Sequence, residues 1–186
     1  MNKILYFDCE TTGLDPVKHD IIQLALIIEV GGEVKERAVF NMQPFSYDNF
    51  EESALLINGY TIERLKTFKA PKEIYKEIVE LLGRHVDKFD RSDKFYPAGF
   101  NVDFDLNFLA KFFIKNNDNY FGSWINWRKV DALPLLYVMD LQGKLKLENY
   151  KLETVCMYFG IPLQAHDAES DIEATRQVIK KVMEVL

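Results

Sequence analysis

Two cysteines in 186 residues, no apolar run approaching the ~18 residues that span a bilayer, and no excess of positive charge set the first boundaries. Cys9 and Cys156 both sit in apolar contexts and read as buried free thiols of a reducing compartment. The N-terminal MNKILYFDCE lacks the apolar stretch of a signal peptide, so the expected location is the cytoplasm, with no membrane partner. No repeat, Pro-rich linker, low-complexity tract or composition shift divides the chain. With 48% hydrophobic residues, it is expected to form one domain over 1–186, with a sizeable core and little disorder. Its 23 Lys and Arg against 29 Asp and Glu leave a formal charge of −6. That balance argues against gripping long nucleic acid by phosphate neutralisation, but not against acting at one end of a strand.

What is present is a set of carboxylates where apolar residues would be expected. Asp8 and Glu10 lie in KILYFDCETTGL, Asp105 in GFNVDFDLNFL and Asp171 in AHDAESDIEATRQV. Alternation along a strand puts Ile4, Tyr6, Asp8 and Glu10 on one face and Leu5, Phe7 and Cys9 on the other. Both faces are apolar up to Asp8, which predicts a central, doubly buried strand with carboxylates at its C-terminal end. Open α/β sheets place ligands at that end. Asp105, Phe108, Leu109 and Phe112 follow helical spacing, as do Asp171, Ala174, Thr175, Val178, Val182 and Val185. Each stripe is headed by its carboxylate. Taken singly, a D-x-E at a strand end or an Asp in a first helical turn reads as solvated or as a helix-dipole partner. Together, four carboxylates turned towards a core need a compensating cation. With His166 before the last of them, they read as a two-metal phosphodiesterase site.

The coarse pattern predicts strands at 3–10, 21–30 and 34–41, with a Gly31-Gly32 hairpin turn between the last two. Helical pieces are expected at 51–57 and 61–68, and an amphipathic helix at 71–89 built on Ile74, Ile78, Leu81 and Leu82. A strand at 95–100, a helix at 102–116, a short strand at 124–130 and helices at 131–140, 151–159 and 169–185 complete the reading. Three strands followed by alternating α and β imply an α/β fold, a mixed β-sheet flanked by helices.

These residues resemble the DEDDh group of DnaQ-like 3′–5′ exonucleases, a proofreading family with a ribonuclease H-like fold. Its first motif is matched by Phe7-Asp8-Cys9-Glu10-Thr11-Thr12-Gly13-Leu14. The second is matched by Asn101, Phe104 and Asp105, and the third by His166, Ala168, Asp171 and Ala174. LETVCMYFGI, from Leu152 to Ile161, is similar to the segment before the third motif. Phe100 stands where the family often has His, and Asn58-Gly59 where some members have His-Gly. The last predicted helix is expected to close the chain, with no polymerase-binding tail after it.

The resemblance implies release of nucleoside 5′-monophosphates from 3′ ends of single-stranded nucleic acid, DNA favoured and RNA open, with two Mg²⁺ or Mn²⁺ ions. Asp8 would bridge both ions, Glu10 and Asp171 would hold the nucleophile-side ion, and Asp105 would act partly through water. His166 would take the proton from the attacking water; His19 and His85 read as surface or hydrogen-bonding residues. Thr11, Thr12 and Gly13 either meet the terminal sugar or phosphate through backbone N–H groups or form an ordinary turn and cap. Leu14 and Phe104 either wedge between the last two bases or pack into the core. Asn58 and Asn101 complete the implied substrate contacts. Trp124 and Trp127 read as buried aromatics, and Lys144, Lys146 and Lys151 as a solvated loop. A replication or repair partner such as a polymerase fits the resemblance, and the alternative is a catalytically silent binding module of the same fold.

Overall fold

The computed structural model describes residues 1–164 and 167–185. A five-stranded sheet of order β3-β2-β1-β4-β5 is built from β1 (Lys3–Thr11), β2 (Ile21–Val30), β3 (Glu33–Asn41), β4 (Tyr96–Gly99) and β5 (Val130–Asp131). β1 to β3 form an antiparallel meander, whereas β4 and β5 run parallel to β1. The expected mixed sheet with β1 at its centre is therefore present.

The helices are α1 (Glu52–Asn58), α2 (Ile62–Leu65), α3 (Pro71–Gly83), α4 (Val102–Lys115), α5 (Ala132–Leu141), α6 (Leu152–Phe159) and α7 (Ala168–Val185). Strand alternation on β1 sorts them into two layers. Leu5, Phe7 and Cys9 pack with Ile74, Ile78, Phe108 and Phe112 of α3 and α4. Tyr6 faces the opposite side, with Leu136, Val155, Ile172, Val178 and Val182 of α5, α6 and α7. Burying both faces explains why β2 is an almost unbroken apolar run. Val185 leaves the buried stripe of α7 and is 45% exposed, against the sequence expectation.

Local chemistry sets the element ends. Gly31 and Gly32 both have positive φ, which the two-residue turn between β2 and β3 requires. Pro71 opens α3, and the Glu73 carboxylate accepts the Ala70 N–H at 3.2 Å. α3 stops at Gly83 rather than running to 89, because the next two side chains turn to the sheet edge, where Arg84 and His85 both pair with Glu36 of β3. The strand expected at 124–130 is a single bridge, Phe95 to Ile125, followed by the two residues of β5. Its centre, Asn126 to Lys129, is a polar loop. Among the described residues, no helix is long and apolar enough to cross a membrane.

Candidate active site

Each carboxylate reaches the C-terminal end of β1 by a separate route. Asp8 and Glu10 share the β1 face that carries Tyr6, so they emerge on the α7 side. A register shift between Glu10 and Thr11 in the β1–β2 ladder redirects the chain where the carboxylates end. Asp171 comes from the first turn of α7. Asp8, Glu10 and Asp171 each offer a carboxylate oxygen, and these atoms all lie within 4.8 Å of one another.

Asp105 arrives from the other layer. β1 pairs with β4 only from Ile4 to Tyr6, so beyond that point its outer N–H groups lack a ladder partner. The Asp105 carboxylate accepts the Cys9 N–H at 2.9 Å and fills that gap. Its charge reaches Asp8, whose carboxyl it raises ahead of Asp171 and Glu10. α4 is aimed by Asn101, which adopts the left-handed conformation at φ 61° and ψ 47°. The Asp131 carboxylate accepts from Asn101 N at 3.0 Å, from Val102 N at 3.2 Å and from Leu133 N at 3.1 Å, holding the starts of both α4 and α5.

The electrostatics of the cluster are dominated by burial and by like charge. Burial pushes the Asp8 carboxyl well above the ordinary range, and the charges of Asp105, Asp171 and Glu10 add to it. Burial, then the charges of Asp171 and Asp167, push Glu10 up to about 7. Asp105 also rises to about 7 by burial, against the lowering effect of its hydrogen bond from Cys9. The Cys9 thiol is held well above its usual value by burial and these same charges, so it is inert and protonated. Among the described residues no Lys or Arg pairs with Asp8, Glu10 or Asp105. A convergent set of hard oxygen donors such as Asp8, Glu10 and Asp171 fits a divalent ion of the Mg²⁺ or Mn²⁺ type.

The loop after β1 is built for rigidity. Thr12 is fully buried, and its hydroxyl accepts the Asp20 N–H at 3.0 Å. A Cβ on Gly13 would fall 2.5 Å from the His19 ring, so only glycine fits against that side chain. His19 Nδ1 in turn accepts the Asp15 N–H at 3.0 Å, the hydrogen-bonding role expected of it. The Thr11 hydroxyl donates to Gly13 O at 2.8 Å, and Asn58 Nδ2 donates to Thr11 O at 2.9 Å. The side chains of Thr11, Thr12 and Asn58 thus hold the loop. Leu14 is 72% exposed beside it, whereas Phe104 is half-buried against Phe108. Trp124 is buried but Trp127 is 84% exposed. His166 lies outside the described residues.

Sequence reasoning passed over Asp167 and Gln23. Asp167 caps α7, accepting the Ser170 N–H at 3.0 Å, and its charge reaches Glu10. Its signal was an Asp one residue before the helix start. Gln23 was signalled by the single uncharged polar side chain in the run IIQLALIIEV.

The profile of the RNase T family, described as exonuclease, matches residues 5–179. The chain belongs to this exonuclease family. PolC-type DNA polymerase III of Bacillus cereus is 28% identical to the exonuclease domain over 180 residues, covering 95% of this chain and 11% of that protein. The Thermotoga maritima PolC-type enzyme is 28% identical over 182 residues, covering 96% and 12%. Among solved structures, exonuclease I from Methylocaldum szegediense superposes with a TM-score of 0.82 at 21% identity, covering 99% of this chain and 41% of that one. E. coli exonuclease I in complex with a dA16 oligonucleotide gives 0.78 at 22% identity, covering 100% and 41%. These structural likenesses concern the fold. The exonuclease domain spans about a tenth of the polymerase relatives and about two fifths of the exonuclease I chains.

Proposed function

We propose that this exonuclease domain removes nucleotides one at a time from the 3′ end of single-stranded nucleic acid, DNA in preference to RNA, releasing nucleoside 5′-monophosphates with two bound Mg²⁺ or Mn²⁺ ions. The observation that carries this reading is the convergence of carboxylate oxygens of Asp8, Glu10 and Asp171 within 4.8 Å of one another, in a chain of this family. Asp8, whose carboxyl feels the charges of Asp105, Asp171 and Glu10, would serve both ions, Glu10 and Asp171 would hold the nucleophile-side ion, and Asp105 would act through water. When bound, the ions supply charge neutralisation for the phosphate and acidify water at neutral pH. His166 is assigned as the base that accepts the proton of the attacking water.

The remaining assignments concern the strand end. Exposed Leu14 and half-buried Phe104 are assigned to an apolar contact with the terminal bases, one that tolerates any sequence. The Thr11–Gly13 backbone is held rigid by Asn58 and His19, which suits it to orient the terminal sugar, and Asn101 flanks the same end of β1. The likeness to an oligonucleotide-bound exonuclease I and to PolC-type polymerases favours DNA and a replication or repair context, with a polymerase as the partner class. Two buried free thiols suit a reducing cytoplasm.

The test is digestion of 5′-labelled single-stranded DNA and RNA with Mg²⁺, with Mn²⁺, or with EDTA. The expected result is a ladder shortening by single nucleotides, faster on DNA and absent in EDTA. Full activity in excess EDTA, or mid-strand cuts in a circular substrate, would overturn the assignment.

A further inference from the structure

A polar relay crosses the sheet beneath the carboxylate cluster. Gln23 of β2 is the cross-strand partner of Glu10 on one side and of Asn41 on the other. Its Nε2 donates to Asn41 Oδ1 at 3.0 Å, and the Tyr60 hydroxyl donates to the same oxygen at 3.1 Å. With Asn41 Oδ1 accepting both, the Gln23 amide is oriented so that Oε1 points away from β3. There it accepts the Ala168 N–H at 3.3 Å. Ala168 is the first residue of α7 and fully buried, so water is not at hand to replace that acceptor. Asp171 follows three residues later.

We infer that Gln23 is a positioning residue for the metal site: it ties the start of α7, and with it Asp171, to the strand that carries Asp8 and Glu10. The inference rests on the proposed metal-dependent activity. Its chemistry explains the residue type. An amide both donates to Asn41 and accepts from Ala168, whereas a carboxylate would lose the first bond and add like charge across from Glu10. An aliphatic side chain would keep the burial but leave the Ala168 N–H and one bond at Asn41 unsatisfied. Metal-ligand geometry is sensitive to such outer partners.

The experiment compares full-length wild type with Gln23→Leu, Gln23→Glu and Ile27→Val. The last trims a buried contact on the same strand, away from the cluster, as a control for general destabilisation. Mn²⁺ alone is titrated by calorimetry, thermal melting is followed in EDTA, and kcat and KM are measured on one oligonucleotide. Gln23→Leu is expected to weaken Mn²⁺ binding and lower kcat about 10-fold or more, with KM nearly unchanged. Gln23→Glu, which keeps the Ala168 acceptor, should recover most of the Mn²⁺ affinity, and Ile27→Val should melt lower with wild-type affinity. Wild-type affinity and kcat in Gln23→Leu, or equal affinity losses in Gln23→Leu and Ile27→Val, would reduce Gln23 to a packing residue. Wild type that neither binds Mn²⁺ nor shortens the strand would instead overturn the functional reading, and this inference with it.

Discussion

α7 serves two groups of acidic residues that the protein treats in opposite ways. Towards its middle, Glu29 of β2 is 4% exposed yet meets Arg176 at 2.9 Å and Lys180 at 3.0 Å. Glu173 beside it pairs with Arg37 at 2.8 Å. Burial pushes the Glu173 carboxyl up, but hydrogen bonds from Gln177 and Arg37 and the charges of Arg37 and Arg176 outweigh it, leaving the group below its ordinary value. Asp20, at 5% exposure, is likewise met by Lys115 at 2.6 Å and by the N–H groups of Phe45 and Ser46. Near the helix start, Asp8, Glu10 and Asp105 meet no Lys or Arg among the described residues, and all three are raised. Burial of a carboxylate is thus met by Lys or Arg at Glu29 and Asp20, whereas at Asp8, Glu10 and Asp105 the described residues leave that charge for the proposed metal ions to offset.

The comparison can be broken most directly at Asp8. Asp8→Asn should abolish turnover while leaving the melting temperature in EDTA unchanged or higher, because it removes a buried like charge. A clear loss of stability would make Asp8 a structural partner, as Glu29 is. Next in size are two variants at the third motif. His166→Ala should slow turnover about 10²–10⁴-fold yet bind metal nearly as well as wild type. Asp171→Ala should lose metal affinity as well as rate. Calorimetric metal titration with single-turnover rates separates them, and equal metal loss in both would make His166 a ligand.

At the compensated group the expectation is reversed. Arg176→Met removes the main partner of buried Glu29 and should cost about 3 kcal/mol in urea unfolding, with Lys180 left to offset part of the charge. Little change would mean that Lys180 alone suffices. The last test is in pH. Glu10 and Asp105 are raised to about 7 from ordinary values near 4, so the folded metal-free protein binds more protons than the unfolded chain between those limits. Its stability should therefore be full below about pH 4 on this account and fall as pH rises through 7. Glu173 works the other way, contributing above its ordinary value of 4.5 and losing that contribution as pH falls. Saturating Mn²⁺ should reverse the trend near neutrality, since metal competes with protons for the same oxygens. Melting curves from pH 5 to 8 with and without Mn²⁺ give both signs, and a flat metal-free profile would show that the cluster carries no excess protons.

Much of the fold was legible because burial leaves a periodic trace. The double-sided apolar run of β1 placed it at the sheet centre, and the stripe Asp105, Phe108, Leu109, Phe112 named the buried face of α4. Where periodicity was weak, geometry decided. Asn126 to Lys129 form a loop where a strand was expected, and α3 ends six residues early because Arg84 and His85 are captured by Glu36. The carboxylates were legible for the same reason as the core, since each interrupts an apolar pattern. Their exact grouping was not. Asp105 is drawn aside by the Cys9 N–H, a donor that exists only because β4 ends where it does.

The chain's own order of residues determined the elements, the two layers and the identity of the acidic residues, because hydrophobic spacing and turn chemistry act over a few neighbouring positions. Only the tertiary structure decided which carboxylates meet and which side chains hold them there. Glu10, Gln23, Asn41 and Ala168 come together through the pairing of three strands and the docking of a helix 145 residues away from Gln23. Likewise, among the described residues Glu29 meets a cation and Glu10 meets like charge, because of what the fold brings near each. Electrostatic compensation depends on distance in space, and separation along the chain carries no trace of it.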